Sequence, residues 1–258
     1  MATLAVNEYA ISESQLQERR ERVFLVLAGF FLCAMTLLNV IGITRFIQLG
    51  PMQLAVGVLA YPLTFLCTDL ISELYGRARA NFMVTVGLVL NGFILGVMWL
   101  GNALPAVDSS AQPPWQVLHL ASPTGLPSGD VLSGSVELFT IIYATTTGAV
   151  FASMVAYVIA QYIDVFLFHW IKQKTNGKHL WLRNNGSTII SQAVDSIVVI
   201  GITFGAVIIA GDMGWQAVLI LVFSNYLFKL FSALADTPII YVLVAKLRPY
   251  LGLSNPHS

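Results

Sequence analysis

Residues 23–44 read VFLVLAGFFLCAMTLLNVIGIT, 22 positions without a single charge. A helix that crosses a bilayer needs about 20 consecutive apolar residues, so this run alone is long enough to span. The pattern recurs along the chain. A second charge-free run covers Phe46–Thr68 and is expected to continue as helix to Gly76. A third covers Ala80–Leu104, and a fourth Leu138–Ile163, extending towards Trp170. The fifth runs from about Gly186 to Ala210, broken by Asp195, and the sixth from about Gly214 to Ala245, broken by Lys229 and Asp236. Nothing alternates in the ten-residue segments of a membrane barrel, so strands are not expected.

The composition agrees with these runs. Of 258 residues, 57% are hydrophobic and 10% charged, and the mean hydropathy is +0.77. A soluble domain carries about 25% charge. A disordered chain, a nucleic-acid binder and an ordinary cytosolic enzyme are therefore excluded. Six spans make an all-α integral membrane protein with one transmembrane domain over residues 23–246. The polar segment 1–22, the long connection 105–136 and the tail 247–258 flank or interrupt it. No early apolar run precedes Val23, so no signal peptide is expected.

Lysine and arginine give an orientation. Arg19, Arg20, Arg22, Arg77, Arg79, Lys172, Lys174, Lys178, Arg183, Lys246 and Arg248 all fall on one side of six spans, and only Arg45 on the other. The positive-inside rule then makes both termini cytoplasmic. Ser14–Arg22 is expected as a charged helix leading into the first span. In the long connection, a short interfacial helix after Pro113–Pro114, with Trp115 near the headgroups, competes with a plain covering loop.

The charges inside the spans carry the functional signal. An ionisable residue at that depth costs roughly 2.5–3.5 kcal/mol on insertion scales, so such residues normally face a bundle interior or a wet cavity. Asp69, Glu73, Asp164, Asp195, Lys229 and Asp236 all qualify. At 1.5 Å per residue, Asp69 lies roughly 10 Å and Asp236 roughly 13 Å above the cytoplasmic ends of their spans, and Lys229 lies near the midplane. Tyr61, Phe65, Asp69 and Glu73 follow one another at i,i+4 and share a helix face. Gln192 precedes Asp195 by three residues and Asn225 precedes Lys229 by four. A few placed polar groups on an aromatic wall suit a flat polar ligand.

A bland reading stands beside each. Asp195 with Lys229 would make a buried ion pair that fixes helix packing. Glu73 would be solvated beside Arg77, and Asp164 would pair with the basic fourth loop. Asn39 would be an interhelical hydrogen bond rather than a ligand contact. Pro62 and Pro238 would kink spans two and six, each freeing a carbonyl one turn earlier. Gly92/Gly96 and Gly201/Gly205 have the small-xxx-small spacing of close helix contacts, within the bundle or between two copies of the chain in a homodimer.

Other chemistry finds no support. There is no phosphate-cradling loop for ATP. The four histidines show no metal spacing, and Cys33 and Cys67 read as small buried hydrophobes. No catalytic constellation lies in a span, so an enzyme is not expected, and no cofactor or metal is called for.

Three stretches are more specific. They are Tyr61-Pro-Leu-Thr-Phe-Leu-Cys-Thr-Asp-Leu-Ile-Ser-Glu-Leu-Tyr-Gly76; Ala152-Ser-Met-Val-Ala-Tyr-Val-Ile-Ala-Gln-Tyr-Ile-Asp164 with Ser187-Thr188 and Asp195-Ser196 after it; and Asn225-Tyr-Leu-Phe-Lys229 through Pro238. Together they resemble the queuosine precursor transporter family, also described as vitamin uptake transporters. The resemblance runs through all six spans in order, with the third loop as an insertion. It implies uptake of 7-cyano- or 7-aminomethyl-7-deazaguanine across the inner membrane, with membrane lipid as surroundings and no nucleic acid as partner. The family motif maps onto Asn39, Asp69, Gln161, Asp164, Asp195 and Lys229. Members also resemble the six-helix substrate-binding subunits of energy-coupling-factor importers, which makes a separate ATPase the alternative. The chemistry of a deazaguanine fits these residues. Asp69 or Asp195 would accept its N–H and amino group together. Lys229, Gln192 or Gln161 would serve its carbonyl, or Lys229 would hold the other carboxylate. Tyr61, Phe65 or Tyr226 would cover its face.

Overall fold

The computed structural model describes residues 11–108, 111–176 and 180–253. Six segments among them are long and apolar enough to cross a membrane, and the protein is a multi-pass, all-α membrane protein. Helix α1 runs Glu13–Val40, α2 Tyr61–Tyr75, α3 Arg77–Ala103 and α4 Leu138–Lys174. Helix α5 runs Leu180–Thr203, α6 Gly205–Ala210 and α7 Trp215–Tyr250.

The charged lead-in and the first span form one helix. Ser12 starts it with a reciprocal cap: the Gln15 N–H donates to Ser12 Oγ and the Ser12 N–H donates to Gln15 Oε1, which satisfies two donors that the first turn would otherwise leave free. The start of α1 and the end of α7 meet at one end of the bundle. Arg20 donates to the carbonyls of Leu251 and Gly252 at 2.9 and 3.3 Å, and Arg19 lies 4.7 Å from the Tyr250 ring. Arg79 and Glu21 pair at 3.0 Å there, and Tyr75 donates its hydroxyl to the Arg20 carbonyl. Below this end, Phe31, Cys67, Ile71, Ala80 and Met83 form an apolar core between α1, α2 and α3. Cys33, by contrast, is on the exposed face of α1.

The second span differs from expectation. Residues 46–55 are not helix. Strands β1 (Phe46–Leu49) and β2 (Met52–Ala55) form an antiparallel hairpin, followed by a 3₁₀ turn over Val56–Ala60. The cause is Gly50-Pro51. Proline cannot continue a helix, and glycine at the first position of a two-residue turn holds φ at +58° without Cβ strain. Apolarity alone does not separate such a hairpin from a helix. Non-helical backbone at membrane depth is tolerated where it lines a cavity, and the hairpin does so. Its backbone is tied down: the Gln53 N–H donates to Ser224 Oγ of α7, and the Val56 N–H to the Arg45 carbonyl.

Pro62 consequently kinks nothing. It occupies the first turn of α2, where no intrahelical hydrogen bond is lost. Pro238 does sit inside α7.

The long connection lies at the end opposite the termini, and it is neither a helix nor an irregular loop. One 3₁₀ turn over Pro114–Gln116 leads into strand β3 (Val117–His119), which pairs with β6 (Ser135–Glu137). Nested within them, β4 (Thr124–Gly125) pairs with β5 (Val131–Leu132). Strands this short lie below any membrane-barrel pattern.

Helix α7 turns polar residues inward. On α7, Ser224, Lys229, Ser232 and Asp236 are buried while Leu219, Phe223, Phe231 and Tyr241 are exposed. Lipid supplies the apolar surroundings that a soluble core would otherwise have to provide, so polar groups gather where helices face one another. Gly92, Gly96, Gly201 and Gly205 leave open space where a side chain would stand. They make no close helix contact among the described residues.

Candidate substrate cavity

A cavity of about 500 Å³ opens between the helices, within the range of small-ligand sites. Its walls come from α1 through α5, from α7 and from the β1–β2 hairpin. Phe46 of the hairpin touches Phe204, with ring centroids 6.1 Å apart. Phe204 stands where α5 breaks before α6. The hairpin and the helix break therefore meet at the end of the cavity away from the termini.

The site is built around one ion pair. Lys229 Nζ donates to Asp195 Oδ2, joining α7 to α5. Lys229 is 4% exposed and Asp195 13%. Lys229 also sits 4.7 Å from the centroid of the Tyr61 ring, a cation–π contact strengthened by desolvation. Tyr61 in turn meets Phe65 edge to face, at 4.6 Å and 87°. The i,i+4 spacing of these aromatics on α2 creates that contact. The ammonium, the carboxylate and the two rings line the same cavity.

Around this centre lie amides and hydroxyls. Gln192, one turn before Asp195, keeps its Oε1 without a partner among the described residues. Asn225 lines the wall one turn before Lys229. Thr64 and Thr68 turn their hydroxyls onto carbonyls of their own helix. Asp69 lines the cavity two turns below Tyr61, and no cation pairs with it among the described residues. At the α1–α3 contact, Asn39 Nδ2 donates to Asn91 Oδ1 at 3.1 Å, and both residues line the cavity.

Eight residues singled out from the sequence thus share one cavity: Asn39, Tyr61, Phe65, Asp69, Gln192, Asp195, Asn225 and Lys229. Glu73 is not brought to it. One turn past Asp69 it is 49% exposed and pairs with Arg248 of α7 at 2.8 Å; the Arg77 side chain lies outside the described residues. Gln161 and Asp164 fall in α4, but their side chains lie outside the described residues. Tyr226 and Asp236 are not part of the wall, and Asp236 is buried on α7. Sequence reasoning missed Asn91. Its signal was an amide at the middle of an apolar span, with Asn81 and Asn102 only near the ends, and such an amide in lipid wants a partner. It missed the hairpin too, where Gly50-Pro51 was the available turn signal.

Among the described residues the arrangement sets an ammonium, a carboxylate, amides and two aromatic rings around one cavity. It can recognise a flat polar ligand and release it. The model of a family described as "Putative vitamin uptake transporter" matches residues 55–243. A curated relative from Bacillus subtilis (strain 168), named "Probable queuosine precursor transporter", is 26% identical over 204 residues, covering 77% of this chain and 75% of its own length. No solved structure matches the chain.

Proposed function

The chain belongs to the putative vitamin uptake transporter family, so it is a transporter and not an enzyme, and we propose that its cargo is a 7-deazaguanine precursor of queuosine. The observation that carries this reading is the Lys229–Asp195 pair set against Tyr61 and Phe65 within the cavity. A 7-deazaguanine presents, along one edge, a carbonyl oxygen, an N1–H and an amino group. An ammonium beside a carboxylate offers the complementary run of one donor and two acceptors. The rings of Tyr61 and Phe65 cover the base from its face. The relative's name supports the same substrate class. In this reading the 7-cyano and 7-aminomethyl bases are taken up for tRNA modification, across the inner membrane, by a chain with both termini in the cytoplasm.

Alternating access then needs the helices to rock about a ligand held between them. The β1–β2 hairpin and Phe204 line one end of the cavity, and Asp69 and Ser72 lie towards the other. Neither a separate ATPase nor a second copy of the chain is part of this reading.

Purified protein in liposomes tests it. Labelled 7-cyano-7-deazaguanine is expected to enter with no other protein present. Dependence on an imposed proton gradient separates symport from facilitated entry. Asp195→Asn is expected to lower uptake by about 10- to 100-fold, since it removes a charge-assisted hydrogen bond. Normal uptake by both Asp195→Asn and Asp69→Asn proteins, correctly inserted, would rule the site out. Uptake only with an added ATPase module would favour a binding subunit.

Glu73 gives a control in the same assay. An exposed ion pair contributes at most about 1 kcal/mol, so Glu73→Gln is expected to stay within about twofold of the wild-type uptake rate, a change smaller than that energy allows. A loss matching that of Asp195→Asn would return Glu73 to the site.

A further inference from the structure

Asn39 and Asn91 form a second polar station in the cavity wall. Each is 2% exposed, and the single bond between them uses Asn39 Nδ2 and Asn91 Oδ1. The other two amide atoms, Asn39 Oδ1 and Asn91 Nδ2, have no hydrogen-bond partner among the described residues. Turning both amides over exchanges the two free atoms and leaves the same pattern, one acceptor beside one donor. Buried amides normally satisfy every polar atom. Two asparagines locked together only to join helices would close the reciprocal bond. Here that bond is not made, and both residues face the cavity.

We infer that the Asn39–Asn91 pair is the opposite wall of the substrate site, reading an edge of the base in which an acceptor adjoins an N–H. This inference rests on the 7-deazaguanine reading. With the carbonyl, N1–H and amino group occupied by Lys229 and Asp195, the base keeps one such edge: the ring nitrogen N3 beside the N9–H. The free asparagine donor meets N3 and the free acceptor takes the N9–H. A nucleoside carries its sugar on N9, so it has no hydrogen there and adds bulk against α1 and α3. The amide pair therefore makes the transporter selective for the free base over the nucleoside. Asn39 is at the same time a link between helices, and its bond to Asn91 is what aims the two free atoms.

Equilibrium binding to the purified full chain tests this, with 7-cyano-7-deazaguanine and its N9-methyl derivative as probes. Wild-type protein is expected to prefer the unmethylated base by about tenfold, because N9-methylation removes one neutral hydrogen bond, the one from N9–H. Asn91→Leu is expected to weaken the base by about 10- to 100-fold, since it removes the donor to N3, and to bring the preference below about threefold, because Asn39 Oδ1 loses the contact that aims it at the N9–H. Equal wild-type affinity for the two probes overturns the inference without any variant. So does an Asn91→Leu protein, folded by thermal unfolding, that retains the wild-type preference. Should Asn91→Leu fail to fold, Asn91→Ser is measured in its place with the same expected fall in preference. Wild-type protein that binds neither probe overturns the substrate reading itself. Wild-type protein that binds the base, with preference unchanged in the variants, overturns the role of the amide pair alone.

Discussion

Lys229→Met is expected to abolish uptake and to lower the midpoint of thermal unfolding by about 10 °C, whereas Lys229→Met combined with Asp195→Leu is expected to recover the midpoint and not the uptake. The pair is nearly sealed, with 4% and 13% exposure. Removing one partner of such a pair leaves an uncompensated buried charge and typically costs about 3–5 kcal/mol. In a chain of this length each kcal/mol moves the midpoint by about 2–4 °C. Replacing both partners by apolar side chains removes the desolvation penalty together with the attraction, and is often neutral or stabilising. Stability and transport therefore separate in the double variant. Its helices still pack, and its cavity no longer offers a donor beside two acceptors. Thermal unfolding in detergent and liposome uptake read the two quantities independently. Wild-type uptake by the double variant would reduce the pair to a packing device.

Gly57→Ala is the second large effect, and it acts on the backbone rather than on chemistry. A Cβ at Gly57 would stand 2.4 Å from the Leu38 carbonyl oxygen and 2.6 Å from the Gly42 Cα. Both obstacles are main chain, so no rotamer change relieves the clash. The contact joins the end of α1 to the 3₁₀ turn that launches α2, and the Gly57 N–H donates to the Gly42 carbonyl at 3.1 Å. Forcing the segments apart would also shift Asn39 and Tyr61, which flank the contact on either side. Overpacking typically costs 1–3 kcal/mol and occasionally more, so a loss of about 3 kcal/mol is expected, with little folded protein recovered. Gly87→Ala makes the comparison: its nearest obstacle is the flexible Met35 side chain, at 2.7 Å. The expected measurement is a monodisperse Gly87→Ala protein and an aggregated or much less heat-stable Gly57→Ala protein. Equal behaviour of the two would mean that the α1–α2 contact yields easily.

Much of the architecture was legible because lipid imposes a simple rule. A span must be apolar for about 20 residues, and breaches of that rule are conspicuous. Asp195 and Lys229 stood out as charges in apolar runs, and they prove to be partners. Tyr61 and Phe65 were placed on one face by helical spacing alone. Glu73 shared that face, yet Arg248, 175 residues away in sequence, draws it to the surface pair instead. Helical spacing assigns a face; it does not say how far along the face the cavity extends.

By itself the sequence determined that this chain lives in a membrane, which segments are apolar enough to cross it and which few residues break the apolar rule, because bilayer thickness and charge desolvation act on each segment separately. The tertiary structure decided the rest. It turned residues 46–55 into a hairpin, because Gly50-Pro51 bars a helix and a cavity was there to receive unpaired backbone. It joined Asn39 to Asn91 and left one donor and one acceptor free, a pattern that exists only once α1 and α3 touch. Partner choice among buried polar groups depends on which helices meet and at what height, and that is a property of the packed bundle rather than of any one span.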